Sequence, residues 1–287
     1  IGESNAIASE AGAEAIRLVD VKEAFYNRRV RNGILEDRSH RDIESNVILI
    51  DTIGSRVGQI NALTVLNTGD HQYGLPNRVS ARTYVGEEGI INIERLTDMG
   101  GPIQQKAAMI LDGYLNGVFA QKHPVSCNCS LTFEQNYGEV EGDSASLAEL
   151  VAILSSLSHI PIRQDLAVTG SVNQFGQVQA VGGLIHKIEG FFRICKHRNL
   201  SGTQGVVIPK SNVQNLVLRD DVINAIRDKK FFVWAVDTVE EAVEILMGMP
   251  AGQPDEEGNY PKNTVFHAVM KQLKEYQKFL SRHNRGH

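Results

Sequence analysis

The sequence predicts an α+β or mixed α/β fold in which a β-sheet is packed with helices, and three observations predict it. From Val47 apolar and polar residues alternate with a period of two, as half-buried strands require. From Pro102 the apolar spacing changes to three and four, as in amphipathic helices. Beyond Pro124 short apolar runs and helical stretches take turns, so a β-rich first part is followed by alternating α and β elements.

Composition narrows the function classes. The chain has 287 residues, 42% of them apolar and 22% charged, enough for one sizeable core with appendages. Net charge is −5 and the Lys and Arg residues are scattered, so no nucleic-acid face is expected. No apolar run approaches the ~18 residues of a membrane span, and a cytoplasmic protein is expected. The first residue is Ile1, which suits a piece of a longer protein. Cys127, Cys129 and Cys195 have poor zinc spacing and an odd count for a disulfide scaffold, so three reduced, mostly buried thiols are expected.

In chain order, residues 7–29 read as an Ala- and Glu-rich helix, followed by the charged connector "GILEDRSHRDIE". Residues 1–45 together look like the helical end of an upstream domain. "NVILIDTIGSRVGQINALTVL" predicts two strands around the turn at Gly54-Ser55, and "RVSARTYVGEEGIINIERL" two more around Gly86 to Gly89. Pro102 opens a helix whose face carries Ile103, Ala107, Ile110, Leu111, Tyr114 and Val118. "PVSCNCSLTF" is the next strand, and a helix runs from Ser144 to about Ser158. "LAVTGSVNQFGQVQAVGG" predicts a hairpin turning at Asn173 to Gly176, and Leu184 to His197 a helix. "QGVVIP" and "FFVWAV" read as short buried strands and "VEEAVEIL" as a closing helix, which places the main domain at 46–248. The tail, 249–287, is a Pro/Gly/acidic linker and an amphipathic helix, "TVFHAVMKQLKEYQKFLSRHNR", expected to dock on a partner or a neighbouring subunit.

Chemistry centres on "EVEGDSASLAELVAIL". Ser144 heads an apolar-periodic helix, which suits an N-cap. Gly142 permits a tight turn that would present the hydroxyl, and the amides of a helix start can hold an oxyanion. A nucleophilic serine needs a base. His159 and His186 are the nearest histidines, and neither has an obvious orienting carboxylate. A lysine can serve if burial lowers its pKa. Lys187 qualifies: it stands at the edge of the stripe Leu184, Ile188, Phe191 and Cys195, just after Gly182-Gly183. Snorkelling at a helix border is the alternative reading of it. Thr169 could orient a lysine ammonium. Glu141 and Asp143 could pair with Lys187, bind a cation or favour the helix N-terminus. No phosphate-binding G-x-x-x-x-G-K-[ST] and no zinc-binding H-E-x-x-H is present.

Together "EGDSAS", "IPIRQDLAVTGSVNQFGQVQAVGGLIHKIEGF" and "GVVIP" resemble the proteolytic domain of Lon proteases, which has the ribosomal protein S5 domain 2-like fold. The 43 residues from Ser144 to Lys187 agree with that family's pattern. "ILIDTIGSRVGQINALTV", "RVSARTYVGEEGIINIE" and "MPAGQPDEEGNYP" place the similarity nearer its LonB-like branch. The resemblance implies a serine endopeptidase with Ser144 as nucleophile and Lys187 as general base. Thr169 would steady the lysine, and the Ser144 amide would face the oxyanion. It also implies an upstream AAA+ ATPase using ATP and magnesium, a hexameric ring and unfolded polypeptide substrates, while this fragment itself needs no cofactor. Asp143 stands where many Lon enzymes have proline, and Ile185-His186 where charged residues are usual. A ring-forming module of weak or autoinhibited activity is the alternative. In that reading, pairing of Glu141 or Asp143 with Lys187 would switch the base off.

Overall fold

The structure is a computed structural model and describes residues 1–283. Helix α1 (Gly2–Glu10) is followed by α2 (Leu18–Asn32) and α3 (Ile34–Glu44). The single helix expected over 7–29 is therefore broken. Gly12 takes a left-handed φ of 67° after α1, and the Arg17 amide donates to Asp20 Oδ2 at 2.8 Å to start α2 afresh. The expected connector is itself α3, whose His40 and Ile43 are buried and hold it against the domain.

Strands β1 (Ser55–Arg56), β2 (Gln59–Asn67), β3 (Gln72–Val85) and β4 (Gly89–Asn92) come next. The strand expected before Gly54 is absent; that stretch is irregular. Helix α4 (Ile93–Leu96), helix α5 (Pro102–Phe119), strand β5 (Cys127–Phe133) and helix α6 (Ser146–Ser158) follow. The turn at Gly86 to Gly89 does not close a hairpin. β5 lies between its arms, antiparallel to β3 and parallel to β4, and Asn128 Oδ1 accepts from the Glu88 amide at 2.9 Å.

Then come β6 (Ile162–Arg163), β7 (Leu166–Val168), β8 (Ser171–Val172), β9 (Val178–Gln179), α7 (Leu184–His197) and β10 (Gly205–Pro209). Only β8 and β9 form the predicted hairpin, because β7 joins the main sheet parallel to β2 and β10. Helix α8 (Asp220–Arg227), strand β11 (Phe232–Val236), α9 (Val239–Met247) and α10 (Val265–His283) complete the chain. α8 was not foreseen, and β11, read as buried, is an edge strand whose Phe232 and Trp234 stay half-exposed.

The seven-stranded sheet runs β11-β10-β7-β2-β3-β5-β4. Alternation in its central strands divides the core into two faces. Ile60, Ala62, Leu166, Val168 and Val207 meet the cluster that α5, α6, α9 and α10 share. Leu63, Ala167, Val206 and Ile208 meet the α7 and α8 side. Helix α10 buries Val265, Val269, Leu273 and Tyr276 in the first cluster, so its apolar face is covered within its own chain rather than left for a partner. Asn284 and Arg285, the expected end of that helix, lie outside the described residues. On the opposite layer α7 rests directly on β3. A Cβ on Gly190 would meet the Gly74 carbonyl oxygen at 2.0 Å, and one on Gly74 the His186 carbonyl oxygen at 2.1 Å. All three cysteines are free and buried, as expected.

Candidate active site

The N-terminal ends of α6 and α7, which belong to opposite layers, meet at the C-terminal end of β7. The stretch before α6 is tied down from both sides. Val140 donates to the Met99 carbonyl at 2.8 Å and accepts from the Gly101 amide at 2.9 Å. Glu141 Oε1 accepts from the Ile103 amide at 3.3 Å, giving the start of α5 the carboxylate that its own glycine N-cap cannot supply. Gly142 turns the chain with a φ of 96°.

Beyond it Ser144 is not the N-cap of α6. Ala145 holds that position, and Ser144 stands just outside the helix with its hydroxyl released from capping. The stretch Thr169–Val172 straps the turn. The Ser144 carbonyl accepts from the Gly170 amide at 2.9 Å and from Thr169 Oγ1 at 3.0 Å. The Leu147 amide donates to the Gly170 carbonyl at 3.1 Å, and Ser146 Oγ accepts from the Val172 amide at 2.9 Å. The amides of Ser144 and Ala145 have no hydrogen-bond acceptor among the described residues.

Lys187, in the first turn of α7, places Nζ 2.7 Å from Ser144 Oγ and 3.2 Å from Thr169 Oγ1. Its side chain does not snorkel from the helix edge: the residue is 1% exposed. Desolvation therefore pulls its pKa down to about 8, with Asp143 opposing in part. The positive end of the α7 dipole acts in the same direction as the burial. When Nζ is charged it donates to Ser144 Oγ. When it is neutral the serine hydroxyl donates to the amine lone pair, which is how a base takes up a nucleophile's proton.

The other candidates separate clearly. Thr169 is fully buried and reaches both the lysine and the Ser144 backbone. Asp143 Oδ2 accepts from Ser171 Oγ at 2.8 Å, and Glu141 faces α5, so neither carboxylate forms an ion pair with Lys187 among the described residues. The expected autoinhibitory pairing is not present in this conformation. His159 caps the far end of α6 in a left-handed conformation, about 20 Å from the serine at 1.5 Å per residue. His186 lines a groove of about 570 Å³ that also holds Tyr73 and Arg219. Sequence reasoning missed Ser146 and Ser171, whose "S-A-S" and "T-G-S" settings read as ordinary turn and strand residues. It also missed Glu149, buried on α6 beside Gln104, whose carboxyl is pushed up to about 7 chiefly by burial.

A serine hydroxyl thus lies against a desolvated lysine at the meeting point of two helix starts. Residues 138–249 match the family model of the Lon protease (S16) C-terminal proteolytic domain, and the chain carries a domain of that family. It is 45% identical over 224 residues to a protein named as a Lon protease homolog of Escherichia coli (strain K12), covering 77% of this chain and 38% of that protein. A Lon protease homolog of Haemophilus influenzae is 38% identical over 252 residues, covering 87% of this chain and 42% of the relative. An archaeal Lon protease of Thermococcus kodakarensis is 30% identical over 250 residues, covering 84% and 35% respectively. The chain thus spans less than half the length of these relatives. No helix among the described residues is long and apolar enough to cross a membrane.

Proposed function

We propose that the chain is the proteolytic part of a serine endopeptidase with a Ser144–Lys187 dyad. One observation carries the reading: a lysine 1% exposed has its amine 2.7 Å from a serine hydroxyl that caps nothing. Burial keeps a useful fraction of Lys187 neutral near physiological pH. The neutral amine takes the Ser144 proton as Oγ attacks the scissile carbonyl. The free amides of Ser144 and Ala145, at the positive end of α6, stabilise the oxyanion. The lysine then protonates the departing amine, leaving an acyl-enzyme. Water, activated by the same amine, hydrolyses the ester. Thr169 holds the ammonium formed in each half-reaction and ties the lysine to the Ser144 backbone. In this reading Gly142 shapes the turn and Glu141 anchors it to α5.

The resemblance extends the proposal to the whole protein: a cytoplasmic hexameric ring in which an ATPase part, using ATP and magnesium, delivers unfolded polypeptides to this domain. The chemistry within the domain needs no cofactor. Hydrolysis of a fluorogenic peptide by the chain and its Ser144→Ala and Lys187→Ala variants tests the dyad. Ser144→Ala should abolish turnover, and Lys187→Ala should lower kcat by about 10²–10⁴-fold, the usual worth of a general base. Full activity in Lys187→Ala, with loss in His186→Ala, would refute the assignment.

A further inference from the structure

The carboxylate beside the candidate nucleophile is restrained by a residue to which neither the sequence nor the comparisons give a role. Asp143 directly precedes Ser144 and is the charged side chain that acts on Lys187 through space. Its Oδ2 is taken by the Ser171 hydroxyl at 2.8 Å, and Ser171 is 3% exposed at the start of β8. Gln179 Oε1, from the paired strand β9, lies 3.3 Å from the same hydroxyl and is the longer, competing acceptor for its single proton. The other charged groups around α7 are engaged elsewhere. Glu189 accepts from the Arg219 amide, and Glu36, Asp37 and Glu44 of α3 lie against Arg193, toward the far end of the helix, with His40 buried beside Glu36. His186 points to the groove beside Tyr73. Asp143 is therefore the side chain whose position decides whether Lys187 has a counter-ion.

We propose that Ser171 is a positioning residue: its hydroxyl holds the Asp143 carboxylate out of ion-pairing reach of Lys187 and so keeps the lysine able to act as a base. The proposal rests on the dyad reading. It turns on a single side-chain hydrogen bond, because among the described residues the Asp143 carboxylate has no partner other than the Ser171 hydroxyl. Once broken, the carboxylate would favour the ammonium, and a charged lysine cannot accept the serine proton.

The test is the pH profile of kcat/KM for peptide hydrolysis by the full chain. Ser171→Ala and the isosteric Ser171→Cys, whose thiol is a weak donor, should both move the rising limb about one pH unit upward. Activity at pH 7 should then fall roughly tenfold while the plateau above the limb stays at the wild-type level. Adding Asp143→Asn to either variant should return the limb to the wild-type position or below it. A limb that stays in place in both single variants overturns the proposal. So does a shift that Asp143→Asn fails to reverse, or a plateau that drops as much as the neutral-pH rate. If Lys187→Ala keeps the wild-type profile, the dyad reading falls and takes the proposal with it. If Lys187→Ala removes the activity while Ser171→Ala and Ser171→Cys leave the limb unmoved, the Ser171 proposal alone is overturned.

Discussion

Replacing Lys187 by Met should make the fold more stable near neutral pH, and the gain should fade as pH rises. The lysine pKa is lowered from 10.5 to about 8 because the ammonium is desolvated among α7, the end of β7 and the Ser144 turn. The unfolded chain holds its proton up to the ordinary lysine value. Between pH 8 and 10.5 the unfolded state therefore binds more protons than the folded one, and stability rises with pH. Below pH 8 the folded protein carries the full charge-burial penalty, roughly 3 kcal/mol at ~1.4 kcal/mol per pKa unit. Methionine has a similar length and no charge. Its packing, and the lost contacts to Ser144 and Thr169, add an offset that does not change with pH. The informative quantity is thus the change in the wild-type-to-variant gap, which should be roughly 3 kcal/mol between pH 7 and pH 10.5. Urea unfolding of both proteins across that range measures it. A gap that varies by less than about 1 kcal/mol would refute the desolvated lysine, and with it the reason for regarding Lys187 as a base.

Two further expectations concern the elements that support the site. Glu149 has a folded pKa raised from 4.5 to about 7, so its contribution is intact below pH 4.5 and is lost as pH rises through 7. Glu149→Gln, which mimics the protonated carboxyl and can still accept from Gln104, should be more stable than wild type at pH 8 by up to roughly 3 kcal/mol and equal to it at pH 4.5. Parallel thermal melts at the two pH values decide it. Leu273→Ala removes a side chain that is 6% exposed in the cluster between α10 and the sheet. It should cost about 2–4 kcal/mol in urea unfolding. A loss below ~0.5 kcal/mol, the usual range for surface substitutions, would mean that α10 does not stay docked.

Much of this architecture could be read from periodicity. The α7 boundaries, Leu184 to His197, follow from its apolar stripe and the glycines before it, and the sheet strands from β2 to β5 follow from alternation. The errors arose where tertiary pairing overrode local pattern. "GEEG" looks like a hairpin turn, but β5 enters between its arms through contacts distant in sequence. The α3 segment is too polar to announce a helix, and it is held by the buried cluster of Ile43, Ile50, Tyr73, Leu75 and Ile194. At the site, the convergence of Ser144, Lys187 and Thr169 was expected from the need of a serine nucleophile for a base in an apolar setting, together with the family resemblance, and the structure places the three side chains in contact. The depth of Lys187 was not legible. A helical wheel places it at the edge of a stripe, and only the converging turn of Ser144 and the end of β7 close over it. Ser171 was silent for the same reason: its partner stands 28 positions away.

The contact between α7 and β3 has a consequence for how this domain can change over time. Where Gly74 and Gly190 face each other there is no room for even one methyl group. Any other residue at either position must displace the helix or the strand, and Lys187 rides on that helix. A displacement of ~1 Å at a reacting pair can cost on the order of a hundredfold in rate. Under the proposed dyad, two positions without side chains, and without a proton to give or take, would therefore gauge the gap between lysine and serine. Loss of function can arise there with every polar group in place, so an intact serine, lysine and threonine in a related sequence would not by themselves certify a working site.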